Sequence, residues 1–238
     1  MNVSNFTKKI ATDYDLIAIE DSIPPTARLY DDAIISSLPQ KCETIVDAGC
    51  GTGDLTIKLS NFAKNVQAFD ISSKIIDVAR SRNSHKNIRY AKGSIEELNN
   101  ILWPSSCDSI IVNRSIHHCL DLRIVIKNLL NLIKPNGKLI ILDLESTGIR
   151  KSDFHRNLIY QLYFLTVCIK GFLNKKLKQT LHELKVEKQL FNSNGWQQHL
   201  SHEPNFCWKD IDSVLKALNV NYSYRRINWK FFLFVVSK

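Results

Sequence analysis

None of the six cysteines of this 238-residue chain forms a C-x-x-C pair. Dispersed thiols at Cys42, Cys50, Cys107, Cys119, Cys168 and Cys207 argue against a disulfide framework and for a reducing, cytoplasmic setting. The apolar core of a secretion signal is missing, because Met1 is followed by polar residues and Lys8-Lys9. Long hydrophobic runs are scarce too. The run from Leu158 to Ile169 is closed by Lys170-Gly171 and falls short of the ~20 residues that cross a bilayer. Repeats and low-complexity tracts are absent. What remains is ordinary for a globular protein, with 44% hydrophobic and 23% charged residues, and is long enough for one sizeable core.

The charge is unevenly placed. Up to residue 145 there are 17 Lys+Arg against 17 Asp+Glu, whereas residues 146–238 carry 15 against 6, so the net +9 lies wholly in the later part. Such an asymmetry bears on partners rather than on fold.

Nine residues carry most of the functional information: Val46-Asp47-Ala48-Gly49-Cys50-Gly51-Thr52-Gly53-Asp54. They follow the apolar Thr44-Ile45-Val46 and precede a helical period from Leu55, which reads as strand, glycine loop, helix. Glycines permit φ > 0 and close approach of a ligand to the backbone, and helix-start amides then face that ligand. A dinucleotide loop would need glycine at position 54, where this chain has Asp54. Asp47 and Asp54 would repel a pyrophosphate and suit an ammonium and a sulfonium. A second apolar run, Val66-Gln67-Ala68-Phe69, ends in Asp70, placed to accept from ribose hydroxyls.

Strand and helix periods alternate through the first 143 residues. Strands are expected near 43–48, 65–70, 87–92, 107–113 and 137–143, with helices at 53–63, 73–82 and 121–133. A further helix is expected over 26–38, after Pro24-Pro25. This rhythm implies a parallel sheet covered on both faces. After Leu144 it stops, and residues 146–200 read as a helical cap, with Tyr160, Tyr163, Phe164 and Phe172 as its apolar roof and Lys175, Lys176, Lys178, Lys185 and Lys188 beyond. A helix at 207–218 and strands at 220–227 and 229–236 complete the chain, the last antiparallel to its predecessor.

The loop and its downstream acid resemble those of the class I S-adenosylmethionine-dependent methyltransferases, in the group that includes the ubiquinone and menaquinone C-methyltransferases. Three more segments carry the resemblance in order: Ile88–Leu98, Cys107–Asn113 followed by Ile116-His117-His118, and Leu132–Leu139 with its Lys134-Pro135-Asn136-Gly137 turn. Together they span roughly residues 8–145. The resemblance implies an α/β Rossmann-like sheet of seven mostly parallel strands with an antiparallel last strand, helices on both faces and a helical cap insertion. It implies one methyltransferase domain over 1–238, with a helical lead-in at 1–40, the cofactor core at 41–145, the cap at 146–200 and a return to the sheet at 201–238. It also implies S-adenosylmethionine as cofactor, S-adenosylhomocysteine as its product, and contacts from Tyr14, Asp47, Gly49, Cys50, Gly51, Gly53, Asp70, Ile71, Ser94, Ile95 and Asn113. Ser94 departs from the family's usual aspartate, and Asn136 replaces a common glycine in a position that Asn tolerates.

Methyl transfer needs alignment above all, and a general base where the acceptor holds its proton tightly. His117 and His118 follow the fourth strand and are the best-placed titratable pair; the alternative is that one packs beside the sheet. By resemblance, His118 matches a histidine common on the acceptor side. His199 and His202 are the other candidates for acid–base work, while a zinc site there lacks an evident third ligand. The acceptor expected is a lipophilic small molecule methylated on O, N or C, as in natural-product or quinone biosynthesis. The basic later part points to an acidic carrier protein or an anionic membrane surface. RNA methylation is the rival suggested by a pI near 9.2, but neither Asn-Pro-Pro-aromatic nor Pro-Cys follows the fourth strand. A cofactor-binding protein without catalysis is the other rival, opposed by the intact loop and Asp70.

Overall fold

A computed structural model describes residues 9–16, 30–144, 207–227 and 231–238. Helix α1 covers residues 9–16 and α2 covers Asp31–Ile35. Then follow β1 (Cys42–Ala48), α3 (Asp54–Leu59), β2 (Ala63–Asp70), α4 (Ser73–Arg82) and β3 (Ile88–Lys92). A 3₁₀ helix at Ile95–Asn100 leads to β4 (Cys107–Asn113), and a second at Ile116–His118 leads to α5 (Leu122–Leu132) and β5 (Ile133–Leu144). Beyond residue 206 come α6 (Trp208–Ala217), β6 (Asn221–Arg226) and β7 (Phe231–Ser237).

The strands form one seven-stranded sheet in the order β3-β2-β1-β4-β5-β7-β6. The pairs from β3 through β5 are parallel, whereas β7 runs antiparallel to both β5 and β6. Because side chains alternate across a strand, neighbouring core residues divide between two faces. Val46, Ala48, Ile110, Val112, Leu139, Ile141, Phe232 and Phe234 share one cluster with α5 and α6. Ile45, Val66, Ile111, Ile140, Leu142 and Leu233 join α3 and Ile34 of α2 on the other. Both faces being covered explains why Ile110–Val112 and Leu139–Leu142 are continuous apolar runs, all fully buried.

Two boundaries differ from the sequence reading. Helix α3 ends at Leu59 rather than 63, since Asn87 donates to the carbonyls of Ser60 and Ala63 at 2.8 and 3.0 Å and β2 begins there. Strand β5 starts at Ile133 instead of 137. Ile133 pairs with Cys107 and Lys138 with Ser109, so Lys134–Gly137 form a bulge between two paired stretches. Asn136 turns that bulge at φ 65°. Of the expected helix at 26–38, the described residues show Asp31–Ile35 as α-helix. Residues 145–206 lie outside the described ones, and with them the expected cap, its aromatic roof, its lysines, His199 and His202.

In open parallel sheets a ligand sits beyond the carboxyl ends of the strands, where neighbouring connections diverge. Here the divergence falls between β1 and β4: β1 leads through α3 to β2 on one side, and β4 leads through α5 to β5 on the other. The glycine loop and the two histidines follow those strands.

Candidate active site

The loop after β1 is held in a shape that its glycines alone make inexpensive. Gly49, Gly51 and Gly53 take φ of 81°, 53° and 81°, in the left-handed region. The amides of Gly49 and Cys50 both donate to Phe69 O of β2, at 2.8 and 2.9 Å. A Cβ on Gly49 would stand 2.5 Å from Ser115 Cβ, and one on Gly53 would collide with the Tyr90 hydroxyl. Gly51 is different, since a Cβ there would meet nothing within 4 Å. The loop is thus walled at its ends and open at its middle.

Asp70 lies beside the open middle of the loop. Its carboxylate accepts from Gly51 N and Ser72 N, each at 3.0 Å. Burial nevertheless raises its pKa, against the pull of those amides. Asp47 at the end of β1 is 1% exposed and accepts from Thr56 Oγ1 at 2.6 Å. Burial pushes its carboxyl up to about 7, with Thr56 opposing and Asp70 adding to the rise. Two buried carboxyls with raised pKa values favour a ligand that brings positive charge and hydroxyl donors. Asp54, by contrast, is committed locally, accepting from Thr52 Oγ1 at 2.8 Å and Asn83 Nδ2 at 3.3 Å. The Cys50 thiol is buried, and burial holds its pKa well above the ordinary value, which suits packing rather than attack.

Other expected contacts gather around the loop. Ile95 Cδ1 lies 3.4 Å from the Cβ position of Gly49, and Ile71 follows Asp70 directly. Ser94 is buried and caps the 3₁₀ helix, its Oγ accepting from Glu96 N at 3.3 Å. Asn113 ends β4 half-buried. Tyr14 reaches the site from α1. Its hydroxyl is 3.0 Å from His118 Nε2, and the two rings meet edge to face. Asp15 anchors the same helix to α4, accepting from Ser72 Oγ at 2.5 Å and Lys74 N at 3.4 Å.

The opposite wall is the turn after β4. Arg114 carries a positive φ of 54° and donates its amide to Leu142 O at 2.7 Å, a strain of the kind that collects at functional sites. Ser115 Oγ donates to Ala48 O at 3.0 Å, fixing this turn against the glycine loop. Asp143, 1% exposed near the end of β5, accepts from Ile116 N (3.0 Å), His117 N (3.3 Å), Leu144 N (2.6 Å) and His117 Nδ1 (2.6 Å). The rings of His117 and His118 pack with centroids 3.8 Å apart. Asp15, Ser72, Ser115 and Asp143 escape the sequence reading. An acid at the end of the strand beside β4 was the available signal for Asp143.

A family profile described as "Methyltransferase domain" matches residues 39–215. The chain belongs to that family. It is 28% identical over 166 residues to a ubiquinone/menaquinone biosynthesis C-methyltransferase of Rickettsia prowazekii, covering 65% of each chain. It is 36% identical over 98 residues to a malonyl-[acyl-carrier protein] O-methyltransferase of Bacillus anthracis, covering 40% of this chain and 35% of that one. An uncharacterized methyltransferase of Mycobacterium tuberculosis is 27% identical over 135 residues, 56% of this chain and 66% of that one. The chain thus spans just under two thirds of the Rickettsia and Mycobacterium relatives and about one third of the Bacillus one. Among solved structures, a SAM-dependent methyltransferase from Aquifex aeolicus matches with a TM-score of 0.58 at 13% identity, over 100% of this chain and 98% of that one. The N-methyltransferase NodS of Bradyrhizobium japonicum, in complex with S-adenosyl-L-homocysteine, matches with 0.58 at 13% identity over 99% and 97%. At such identities these likenesses speak for the fold. Among the described residues no helix is long and apolar enough to cross a membrane.

Proposed function

We propose that the chain transfers the methyl group of S-adenosylmethionine to a lipophilic small-molecule acceptor. One observation carries the reading: the glycine loop is open at Gly51, directly beside the buried Asp70 carboxylate. That arrangement offers a surface for a ligand backbone and an acceptor for paired hydroxyls. The donor set fits S-adenosylmethionine, with Asp70 on the ribose hydroxyls and Asp47 and the loop at the methionine end. Ser94, Ile95 and Ile71 flank the adenine side, Cys50 packs the loop, and Tyr14 and Asn113 close over it. When bound, this cofactor supplies an electrophilic methyl carbon on a sulfonium.

The protein's own contribution is alignment and exclusion of water, which together can contribute ~7–11 kcal/mol to the barrier. Tyr14 and His118 form one side of the acceptor mouth, and His118 orients the acceptor. His199 and His202 join that proposal as acid–base candidates contributed by the segment beyond β5. The basic part beyond residue 145 serves an anionic partner, an acidic carrier protein or an anionic membrane surface. The carrier reading is supported by the name of the Bacillus relative.

The test is transfer from labelled S-adenosylmethionine to a panel of quinol, phenol, amine and carrier-bound acceptors, with tRNA and rRNA as controls. Methylated small molecule or carrier-bound product, with no label in RNA, is the expected result. Tight RNA binding that survives physiological salt together with label in RNA, or tight cofactor binding without transfer to any acceptor, would overturn it.

A further inference from the structure

Helix α4 is tied to the glycine loop at both of its ends. At its start, Ser72 N and Gly51 N donate to the two oxygens of Asp70, each at 3.0 Å. At its end stands Asn83, whose own amide donates to Ala79 O at 2.9 Å and closes the helix. The Asn83 side chain turns to the loop, where Nδ2 donates to Thr52 O at 2.8 Å and to Asp54 Oδ1 at 3.3 Å. Both neighbours accept, so the two hydrogens of the amide face them and its oxygen does not. Asn83 is fixed in turn from β3. Its carbonyl accepts from the Tyr90 hydroxyl at 2.8 Å, and the Tyr90 carbonyl accepts from Arg80 Nη2 of α4 at 2.8 Å. The same Tyr90 hydroxyl is the wall that a Cβ on Gly53 would strike. Within the loop, Gly53 N closes a turn on Cys50 O at 3.0 Å. Gly51, at the open middle, therefore sits between an acid at the start of α4 and an amide donor at its end.

The structure assigns Asn83, aimed by Tyr90, as a positioning residue of the cofactor loop. The glycines make the shape of the loop inexpensive, and Asn83 keeps it in that shape before a ligand arrives. This rests on the reading of the loop as the seat of S-adenosylmethionine and deepens it by naming a group that sets its affinity. Asn83 acts through Thr52 and Asp54. A segment ordered in advance binds more tightly, because the entropy of ordering is not lost at the binding step. A hydrogen bond that served stability only would leave binding by the folded protein unchanged. Asn87 supplies the comparison. Its Nδ2 donates to Ser60 O at 2.8 Å and Ala63 O at 3.0 Å, a similar bridge placed where α3 passes into β2, away from the loop.

Titration calorimetry of S-adenosylhomocysteine into the full chain, run beside urea unfolding, separates positioning from stability. Asn83→Ala should weaken binding by about tenfold, the cost of ordering one or two residues during binding instead of before it. Tyr90→Phe keeps the ring and loses the hydroxyl that aims Asn83, so its affinity should fall by about threefold. Asn87→Ala should lose stability comparably to Asn83→Ala and bind as wild type does. If Asn83→Ala does not fold, Tyr90→Phe decides by the same comparison with Asn87→Ala. Wild-type affinity in the folded Asn83→Ala, or in Tyr90→Phe where that variant stands in for it, overturns the assignment. So does an equal fall in Asn87→Ala. Either result leaves the cofactor reading standing. Wild type that binds neither S-adenosylhomocysteine nor S-adenosylmethionine removes both.

Discussion

The glycine loop after β1 and the turn after β4 face each other across the same crevice and are built on opposite terms. The loop takes its shape from backbone: three positive φ angles, two amides on one carbonyl, and an open flank at Gly51. Burial raises the pKa of both its carboxyls, Asp47 and Asp70. The turn takes its shape from a side chain, Asp143, which gathers two amides and an imidazole nitrogen of the turn itself. Buried carboxyls with raised pKa values favour a cationic, hydroxyl-rich ligand. A carboxylate saturated with donors has already found its partners and holds other groups in place.

That contrast is broken most forcefully by adding one methyl to the loop. Gly49→Ala combines a φ of 81° with a Cβ only 2.5 Å from Ser115 Cβ. Strain and overpacking together should cost on the order of 2–5 kcal/mol, measured by urea unfolding. Gly51→Ala shares the left-handed backbone but meets open space, so its stability loss should be about 1 kcal/mol. Its effect should appear instead in calorimetry, as a marked loss of cofactor affinity. Equal destabilisation by the two substitutions would contradict the walled-and-open description.

A second test uses pH. The folded Asp47 carboxyl titrates at about 7, above its ordinary 3.8, so the folded state binds a proton that the unfolded chain has lost. Its contribution to stability is therefore complete below 3.8 and is lost as pH rises through 7. Asp47→Asn removes that loss. The variant should gain on wild type by roughly 1.4 kcal/mol per pH unit across that window, seen in unfolding curves near pH 5 and 7. Parallel curves for the two proteins would contradict it. Cofactor binding near neutral pH should also release a proton from wild type, detectable as a buffer-dependent heat, and release less from the variant.

The smallest effect belongs to a carboxylate away from the crevice. Asp108, near the start of β4, is held below the ordinary carboxylate value by Thr44 N, Lys134 and Glu43 N despite burial. Its contribution is present above the unfolded pKa and is lost as pH falls through the folded one. Lys134→Ala should cost about 1 kcal/mol near neutral pH and leave cofactor affinity unchanged, since this pair is partly exposed.

The same contrast explains what the sequence disclosed. A positive φ leaves a trace in residue type, so Gly49, Gly51 and Gly53 announce the loop, and Asp70 follows at the end of the next apolar run. The parallel pairing of the first five strands follows from alternating periods, whereas their order does not. Asp143 shows only as an acid near the end of an apolar run, because its partner His117 lies 26 residues earlier and the two meet only through the register that pairs Asn113 with Leu142. The histidine pair was visible, but the contact of His117 with Asp143 was not, and the match of His118 to the acceptor side came from resemblance alone. The early start of β5 was hidden by Pro135, which reads as a break and sits in the bulge.

The account stands on Asp70 and the open loop as the seat of S-adenosylmethionine. Titration calorimetry of S-adenosylmethionine into wild type and Asp70→Ala addresses this directly. Removing a charged acceptor from two ribose hydroxyls should cost ~1.5–3 kcal/mol, a fall in affinity of roughly tenfold or more. The variant should otherwise be folded, since loss of the acceptor of Gly51 N and Ser72 N is offset in part by removal of a buried carboxyl whose pKa is raised. Wild type that binds S-adenosylmethionine with an affinity Asp70→Ala leaves unchanged would contradict the account.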